Sequence, residues 1–183
     1  MHDFDRLLSD IRRVQTEITW LMPERDFGLN PNPPANPLAI RRAELRLRQP
    51  LPPSYRAFLA LHDGWQRFFE GASLLSSAHL GRRIYTDAAR AVFTAADTPV
   101  PLVGPPIPEP KGLQPFPFGA DAAGTTFFAF NPAVVDPNGE YEVICWVNEI
   151  GLRCENFADF LATVHEHCSD ELNGLAQYAE LSA

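Results

Sequence analysis

Hydrophobic residues recur at helical spacing at the start of this 183-residue chain. The pattern predicts an amphipathic helix from about Asp5 to Leu21, with Pro23 following its end. Its apolar positions are Phe4, Leu7, Leu8, Ile11, Val14, Ile18 and Leu21. The proline- and asparagine-rich run from Asn30 to Pro37 cannot continue a helix, and it predicts an extended connector on the surface.

Prolines mark the starts of two further helices. Pro37 follows the capping residue Asn36 and begins the first of them. Pro53 suits the first turn of the next helix, and Gly64 closes it. Tyr55, Phe58, Leu59 and His62 fall on one face of this helix, and His62 and Asp63 are expected to cap its end.

The middle of the chain has a mixed pattern. Trp65–Phe69 and Ala72–Leu75 predict a loop and an early strand, whereas Ile84–Ala95 returns to helical spacing. The proline-rich stretch Pro99–Pro117 excludes a helix and a central strand. We expect a short edge strand at Pro101–Val103, followed by a loop.

From Phe116 onward the pattern becomes that of strands separated by turns. The predicted strands are Phe116–Gly119, Thr125–Phe130, Tyr141–Val147 and Leu152–Cys154. Tyr141–Val147 is apolar on both faces, which favours a central position in a sheet. Asn156 is expected to cap a last helix, and Asn173-Gly174 to interrupt it before a short final helical piece.

These elements predict one α+β domain, in which N-terminal and C-terminal helices flank a mostly antiparallel sheet. Residues 1–36 hold the first helix and the connector, 37–164 the core of the domain, and 165–183 a C-terminal helical extension. A chain of this length has room for one domain with a sizeable core.

Four segments, taken in this order, resemble a known family. They are Leu51–Trp65, Phe118–Gly124, Val143–Val147 and Asn156–Leu161. Together they resemble the SUKH superfamily over roughly Pro37 to Val164. That family contains bacterial toxin-immunity proteins and fungal cell-wall assembly regulators, so the resemblance implies the same architecture and a protein-binding role. It also places Asp121 at the polar position of the family's phenylalanine-glycine turn.

The net charge of −8 is unevenly distributed. Up to Gly112 the chain has 14 basic and 12 acidic residues, and beyond it 1 basic and 11 acidic residues. Such a surface repels phosphate backbones and attracts basic proteins, so we expect a basic protein partner and no nucleic acid. A surface that only confers solubility is the alternative. Without a signal peptide or a long apolar run, the chain is expected to be cytoplasmic and to have no membrane partner.

Candidate chemistry is sparse, so we expect no enzyme, metal or cofactor. Asp121 and Asp136 are a conceivable carboxylate pair for acid/base catalysis, although their contexts favour turns. His165 and Cys168 share a helix face but have no visible third ligand. The three cysteines, at 145, 154 and 168, have no metal-ligand spacing and are expected to be reduced packing residues.

The leading hypothesis is therefore an immunity protein that neutralises a cognate toxin, with a basic nuclease domain as one such partner. A regulatory scaffold similar to the cell-wall branch is the alternative, and an uncharacterised enzyme with a carboxylate site is the third class. Trp65, Phe68 and Phe69 lie beside Arg67, a combination typical of binding hot spots, and the alternative is that at least two of them close the core over the end of the helix. Two of them are included in the predicted contact surface. That surface consists of Asp121, Asp136, Glu140, Glu142, Glu149, Glu155, Trp65 and Phe69.

Overall fold

The computed structural model describes residues 2–95, 102–103, 115–147 and 150–181, which form five α-helices and seven β-strands. The helices are α1 (His2–Leu21), α2 (Pro37–Leu47), α3 (Pro53–Leu61), α4 (Arg83–Ala95) and α5 (Phe157–Leu181). The strands are β1 (Trp65–Phe69), β2 (Ala72–Leu74), β3 (Leu102–Val103), β4 (Phe116–Ala120), β5 (Thr126–Val135), β6 (Tyr141–Val147) and β7 (Ile150–Cys154). None of the helices in these ranges has the length and apolar character needed to cross a bilayer.

All seven described strands join one sheet in the order β1-β2-β4-β5-β6-β7-β3. Neighbouring strands are antiparallel except for β3, which pairs with β7 in parallel. The α+β class and the mostly antiparallel sheet are confirmed. β6 lies between β5 and β7, as its two apolar faces predicted, and β3 lies at an edge. The loop predicted after Val103 falls largely outside the described residues.

Helices cover both faces of the sheet. On one face, α1, α3 and α5 enclose a core rich in aromatic rings, in which Phe118 stacks on Phe130 with centroids 4.2 Å apart. Tyr55 of α3 meets Phe157 of α5 edge to face at 4.9 Å. Such ring pairs add to the free energy gained from burial alone. On the other face, α4 contributes Ala89 to a smaller cluster that includes Phe127 and Trp146.

The connector between α1 and α2 is tied to the end of α3. The amide of Asn32 donates to the carbonyl of Gly64, and the amide of Ala35 donates to the carbonyl of Leu59. Gly64 has a φ of +91°, and a Cβ there would lie 2.8 Å from the carbonyl oxygen of Leu74. The predicted glycine stop is therefore also a point of close backbone packing, and the connector is part of the domain rather than a loose surface segment.

A bulge in β4 explains the glycine of the Phe118-Gly119 pair. The register shifts between Pro117 and Gly119, which leaves Phe118 as the extra residue and turns its ring into the aromatic core. Gly119 then lies opposite Phe128, and a Cβ at this position would approach Phe128 Cδ2 to 2.3 Å. Only glycine fits here without displacing a fully buried ring.

Two local predictions were wrong. Trp65–Phe69 is a strand rather than a loop, and it forms a hairpin with β2 through a two-residue turn at Glu70-Gly71. α5 continues through Asn173-Gly174 to Leu181 without a break. Leu172 and Leu175, on either side of the glycine, pack against the core, and this packing offsets the roughly 1 kcal/mol that a helical glycine costs.

Candidate partner-binding surface

Glu142 lies inside the protein, so its side chain is not available to a partner. Its carboxylate accepts a hydrogen bond from Arg153 Nε at 2.7 Å and another from Asn131 Nδ2 at 2.7 Å. The side chains of Glu142 and Arg153 are only 8% and 7% exposed. Arg153 is the one cation after Gly112. The C-terminal part of the chain therefore presents almost no cationic Lys or Arg surface, and its exposed charges are carboxylates.

Glu140 caps a helix from a distant strand. Its carboxylate accepts hydrogen bonds from the amide of Ser54 at 2.7 Å and from Ser54 Oγ at 2.6 Å. Ser54 is in the first turn of α3, whose N-cap residue, Pro52, makes no side-chain capping bond. Glu140 thus supplies the negative charge and the acceptor that this helix start lacks. Both oxygens of this half-buried carboxylate accept bonds from Ser54, so its role in the fold is structural.

Asp136 organises the turn between β5 and β6. It accepts hydrogen bonds from the amides of Asn138 and Glu140, both at 2.8 Å. The backbone bond from Glu140 is the main cause of a lowered pKa, with a further contribution from Asn138. Asp136 therefore stays ionised under neutral conditions at the exposed tip of the hairpin.

Asp121 organises the turn between β4 and β5 in the same way. Its carboxylate accepts bonds from the amide and Oγ1 of Thr125, at 2.9 and 2.7 Å, and from the amide of Thr126 at 3.1 Å. Burial opposes its charge, but these hydrogen bonds outweigh that effect and lower the pKa. Asp121 and Asp136 flank opposite ends of the ten-residue strand β5, which spans about 30 Å. They do not form a carboxylate pair.

The two aromatic residues differ in exposure. Trp65 is 1% exposed, and its indole Nε1 donates to the carbonyl of Gly28, so it is a core residue rather than a partner anchor. Phe69 is 9% exposed and lines an apolar groove beside α5. Of the predicted aromatic anchors, only Phe69 is therefore near a surface that a partner can reach.

The exposed acidic surface follows one face of α5. Glu155, just before the helix, is exposed, as are three carboxylates within it. These three are Asp159, Glu166 and Asp170. We call the four residues the α5 acidic stripe. Asp159 to Asp170 spans about 16 Å along the helix axis. Asp159 also accepts a bond from the amide of Glu155, and Asn156 caps the helix through the amide of Asp159, as predicted.

The sequence prediction missed three of these four residues, although their spacing was visible. Positions 159, 166 and 170 recur at intervals of seven and four, which keeps them on one helix face. Glu155 was predicted and lies at the start of the stripe. Glu149 lies outside the described residues.

The residues suggested for metal binding, His165 and Cys168, have no third ligand among the described residues. His167 points towards Phe69, with ring centroids 5.3 Å apart, whereas the nearby His165 contributes a buried Nε2. Within the described ranges, no three His, Cys, Asp or Glu side chains are placed to hold a metal ion. The cysteines are free and buried, and burial is the main cause of their raised pKa values, to about 11 for Cys154 and about 12 for Cys168.

Comparison with known proteins identifies the domain. The model of the SMI1 / KNR4 family (SUKH-1) matches residues 34–163, more than two thirds of the chain. The matched region includes the whole described sheet, whereas α1 and the larger part of α5 lie outside it. No curated protein matches the chain.

Proposed function

Because the chain belongs to the SMI1 / KNR4 family (SUKH-1), we propose that it is a non-catalytic protein-binding module. More specifically, we propose an immunity protein that neutralises a cognate bacterial toxin in the cytoplasm of the producing cell. The observation that carries this proposal is the charge of its C-terminal part. The one cation there is paired internally with Glu142, whereas the α5 acidic stripe faces solvent.

Such a surface suits a partner with a basic face, for example a nuclease toxin. Surface charges of one sign attract the partner before contact and raise association rates by roughly 10- to 1,000-fold. Charge complementarity also rejects partners of the wrong sign. A protein bound over the basic face of a nuclease would cover the surface on which the nuclease binds its phosphate backbone.

We assign the contact surface to the α5 acidic stripe, with Phe69 as a further candidate. Glu142 and Trp65 are left out because they are buried. Glu140, Asp121 and Asp136 are engaged in capping and turn formation. Glu149 remains a prediction from the sequence.

Toxin neutralisation is tested by co-expression with the gene product encoded next to this chain. We expect co-expression to restore growth of cells in which that product alone is toxic. A non-toxic neighbour, or toxicity unchanged by this protein, would contradict the immunity role.

The charge argument is tested by removing two carboxylates of the stripe, Glu166→Gln with Asp170→Asn. For binding to the adjacent toxin, we expect the association rate constant at low salt to fall about three- to ten-fold, and the difference to shrink at high salt. The control is Asp5→Asn with Glu24→Gln, which removes two exposed carboxylates from the N-terminal part of the chain. Equal rates for the two double variants, or rates independent of salt, would refute steering by the stripe.

A regulatory scaffold is the second candidate. The family match is as compatible with this function as with toxin immunity. The same acidic surface would then bind a housekeeping partner. Gene context separates the two proposals, because an immunity protein is expected beside a toxin or secretion gene.

A further inference from the structure

An apolar groove runs along α5 beside the sheet. It has a volume of about 290 Å³ and is lined by Phe69, Cys145, Val147, Leu152, Phe160 and Val164. Sites for drug-sized molecules usually have volumes of about 300 to 1,000 Å³. The groove therefore lies at the lower end of this range, and it has room for one large apolar side chain.

The polar residues at the groove are Glu70, Thr163 and His167. Each helical residue advances about 100°, so Asp159 and Asp170 lie about 40° and 20° around α5 from Thr163. The α5 acidic stripe therefore borders the groove along one side. Glu70 adds a carboxylate at the groove, 3.9 Å from His167 Nε2.

Glu70 occupies a backbone conformation that glutamate rarely adopts. It is the first residue of the two-residue turn between β1 and β2, with φ of +48°, and Gly71 follows with φ of +73°. Positive φ at both positions defines a type I′ turn, for which Asn-Gly and Asp-Gly are the preferred pairs. The carboxylate of Glu70 lies 3.8 Å from the guanidinium of Arg25, and both side chains are partly exposed. Such an ion pair is weak and offsets little of the strain in the backbone at Glu70. Strained residues of this kind cluster at functional sites.

We propose that this groove receives one apolar side chain of a basic protein segment, while Glu70, Asp159 and Asp170 hold cationic side chains that flank it. The choice of occupant follows from charge complementarity, because an apolar floor bordered by carboxylates fits an apolar residue between arginines or lysines. The inference rests on the proposed binding function and adds the type of segment that is recognised.

Two matched synthetic peptides test the groove directly. One contains Arg-Arg-Leu-Arg-Arg, and the other has Ser in place of Leu. Burying a leucine side chain favours binding by about ten-fold or more, so we expect the Leu peptide to bind at least ten-fold more tightly. We also expect it alone to shift the methyl NMR signals of Val147 and Val164.

Two variants assign the effect to the groove. Thr163→Phe fills the groove and is expected to remove the preference for the Leu peptide, whereas Gln177→Phe places the same ring on an exposed part of α5 and is expected to retain it. Glu70→Asn removes the carboxylate and places a residue that type I′ turns prefer at this position. We expect this variant to bind both peptides more weakly, with no decrease in its thermal unfolding midpoint. A Glu70 with a purely structural role would not produce that combination. Thermal unfolding of each variant confirms that it is folded.

Equal affinity of the two peptides, or no binding of either, would overturn the proposal for the groove. So would concentration-dependent shifts of the Val147 and Val164 signals without peptide, since a second copy of the chain would then occupy the groove. The toxin-neutralisation and salt-dependence experiments are independent of these peptides. Failure of the groove proposal is therefore distinguishable from failure of the proposed function.

Discussion

The carboxylates of this protein have different structural roles, and these roles cannot be inferred from the residue type alone. Glu142 neutralises Arg153 in the interior, Glu140 caps a helix, and Asp121 closes a turn. Glu166 and Asp170 remain exposed on α5. Each buried or bonded carboxylate is held by partners far along the chain or in a tight turn. Solvent exposure, rather than the count of acidic residues, therefore selects the residues that can meet a partner.

The pair of Glu142 and Arg153 leads to a prediction about stability. Glu142→Gln removes the negative charge and leaves a buried guanidinium without its carboxylate, so we expect the free energy of unfolding to fall by about 3 kcal/mol. Urea denaturation followed by circular dichroism measures the change. The exposed substitution Glu155→Gln is the control, with an expected change within about 0.5 kcal/mol. A loss as small as that of the control would show that the pair does not stabilise the fold.

At the scale of elements, capping and turn residues account for where most helices and strands begin and end. Asn36 caps α2 through the amide of Leu38, and Asn156 caps α5 through the amide of Asp159. These interactions join residues only two or three positions apart, which is why the sequence predicts them well. The continuation of α5 through Gly174 was missed because it depends on packing against the rest of the fold.

The turn at Asp121 predicts a dependence of stability on pH. Its pKa is lowered in the folded protein, so its stabilisation is complete above the unfolded pKa of about 3.9 and is lost as the pH falls through the folded value. We expect Asp121→Asn to lower the thermal unfolding midpoint at neutral pH, and the difference from the wild type to shrink below about pH 4. Asp170→Asn, on the exposed face of α5, is expected to leave the midpoint at neutral pH unchanged. A difference that grows in acid would contradict this sign.

For the molecule as a whole, the helices at the two ends of the chain close the same face of the sheet. α1 and α5 run side by side in the same direction, since Phe4 lies near Phe157 and Arg25 Nε binds Glu171 at 2.7 Å. Both α1 and the larger part of α5 lie outside the matched family region. They nevertheless contribute to the main core, and this part of α5 carries Glu166 and Asp170 of the acidic stripe.

The buried thiols report on the integrity of this whole core. Cys145, Cys154 and Cys168 are at most 4% exposed, and burial raises the pKa of each, so about one Cys154 in a thousand is a thiolate near pH 8. We expect no reaction of the folded protein with a disulfide reagent on the time scale of minutes. In concentrated guanidinium, all three thiols should react. Rapid labelling of the folded protein would indicate local opening of the core.

Local sequence patterns were sufficient to predict the α+β class, the positions of most elements and the acidic character of the C-terminal part. Apolar periodicity, capping residues and turn residues act over a few positions, and net charge is a simple sum, so all three can be read without coordinates. The glycine stop at Gly64 and the cap at Asn156 are of this kind. The family resemblance carried by the four segments was likewise visible in the sequence, and the family match confirms that resemblance.

The exposure of the predicted contact residues, in contrast, depends on contacts between distant parts of the chain. Trp65 is buried, and its indole donates a hydrogen bond to the carbonyl of Gly28. Glu140 accepts hydrogen bonds from Ser54, 86 positions away. The groove likewise needs Phe69 and Phe160, from opposite halves of the chain. Such contacts form between residues that are distant in sequence, and no local pattern encodes them. The acidic composition therefore predicts a basic partner, and the folded arrangement of α5 and the sheet decides which carboxylates and which apolar groove are open to solvent.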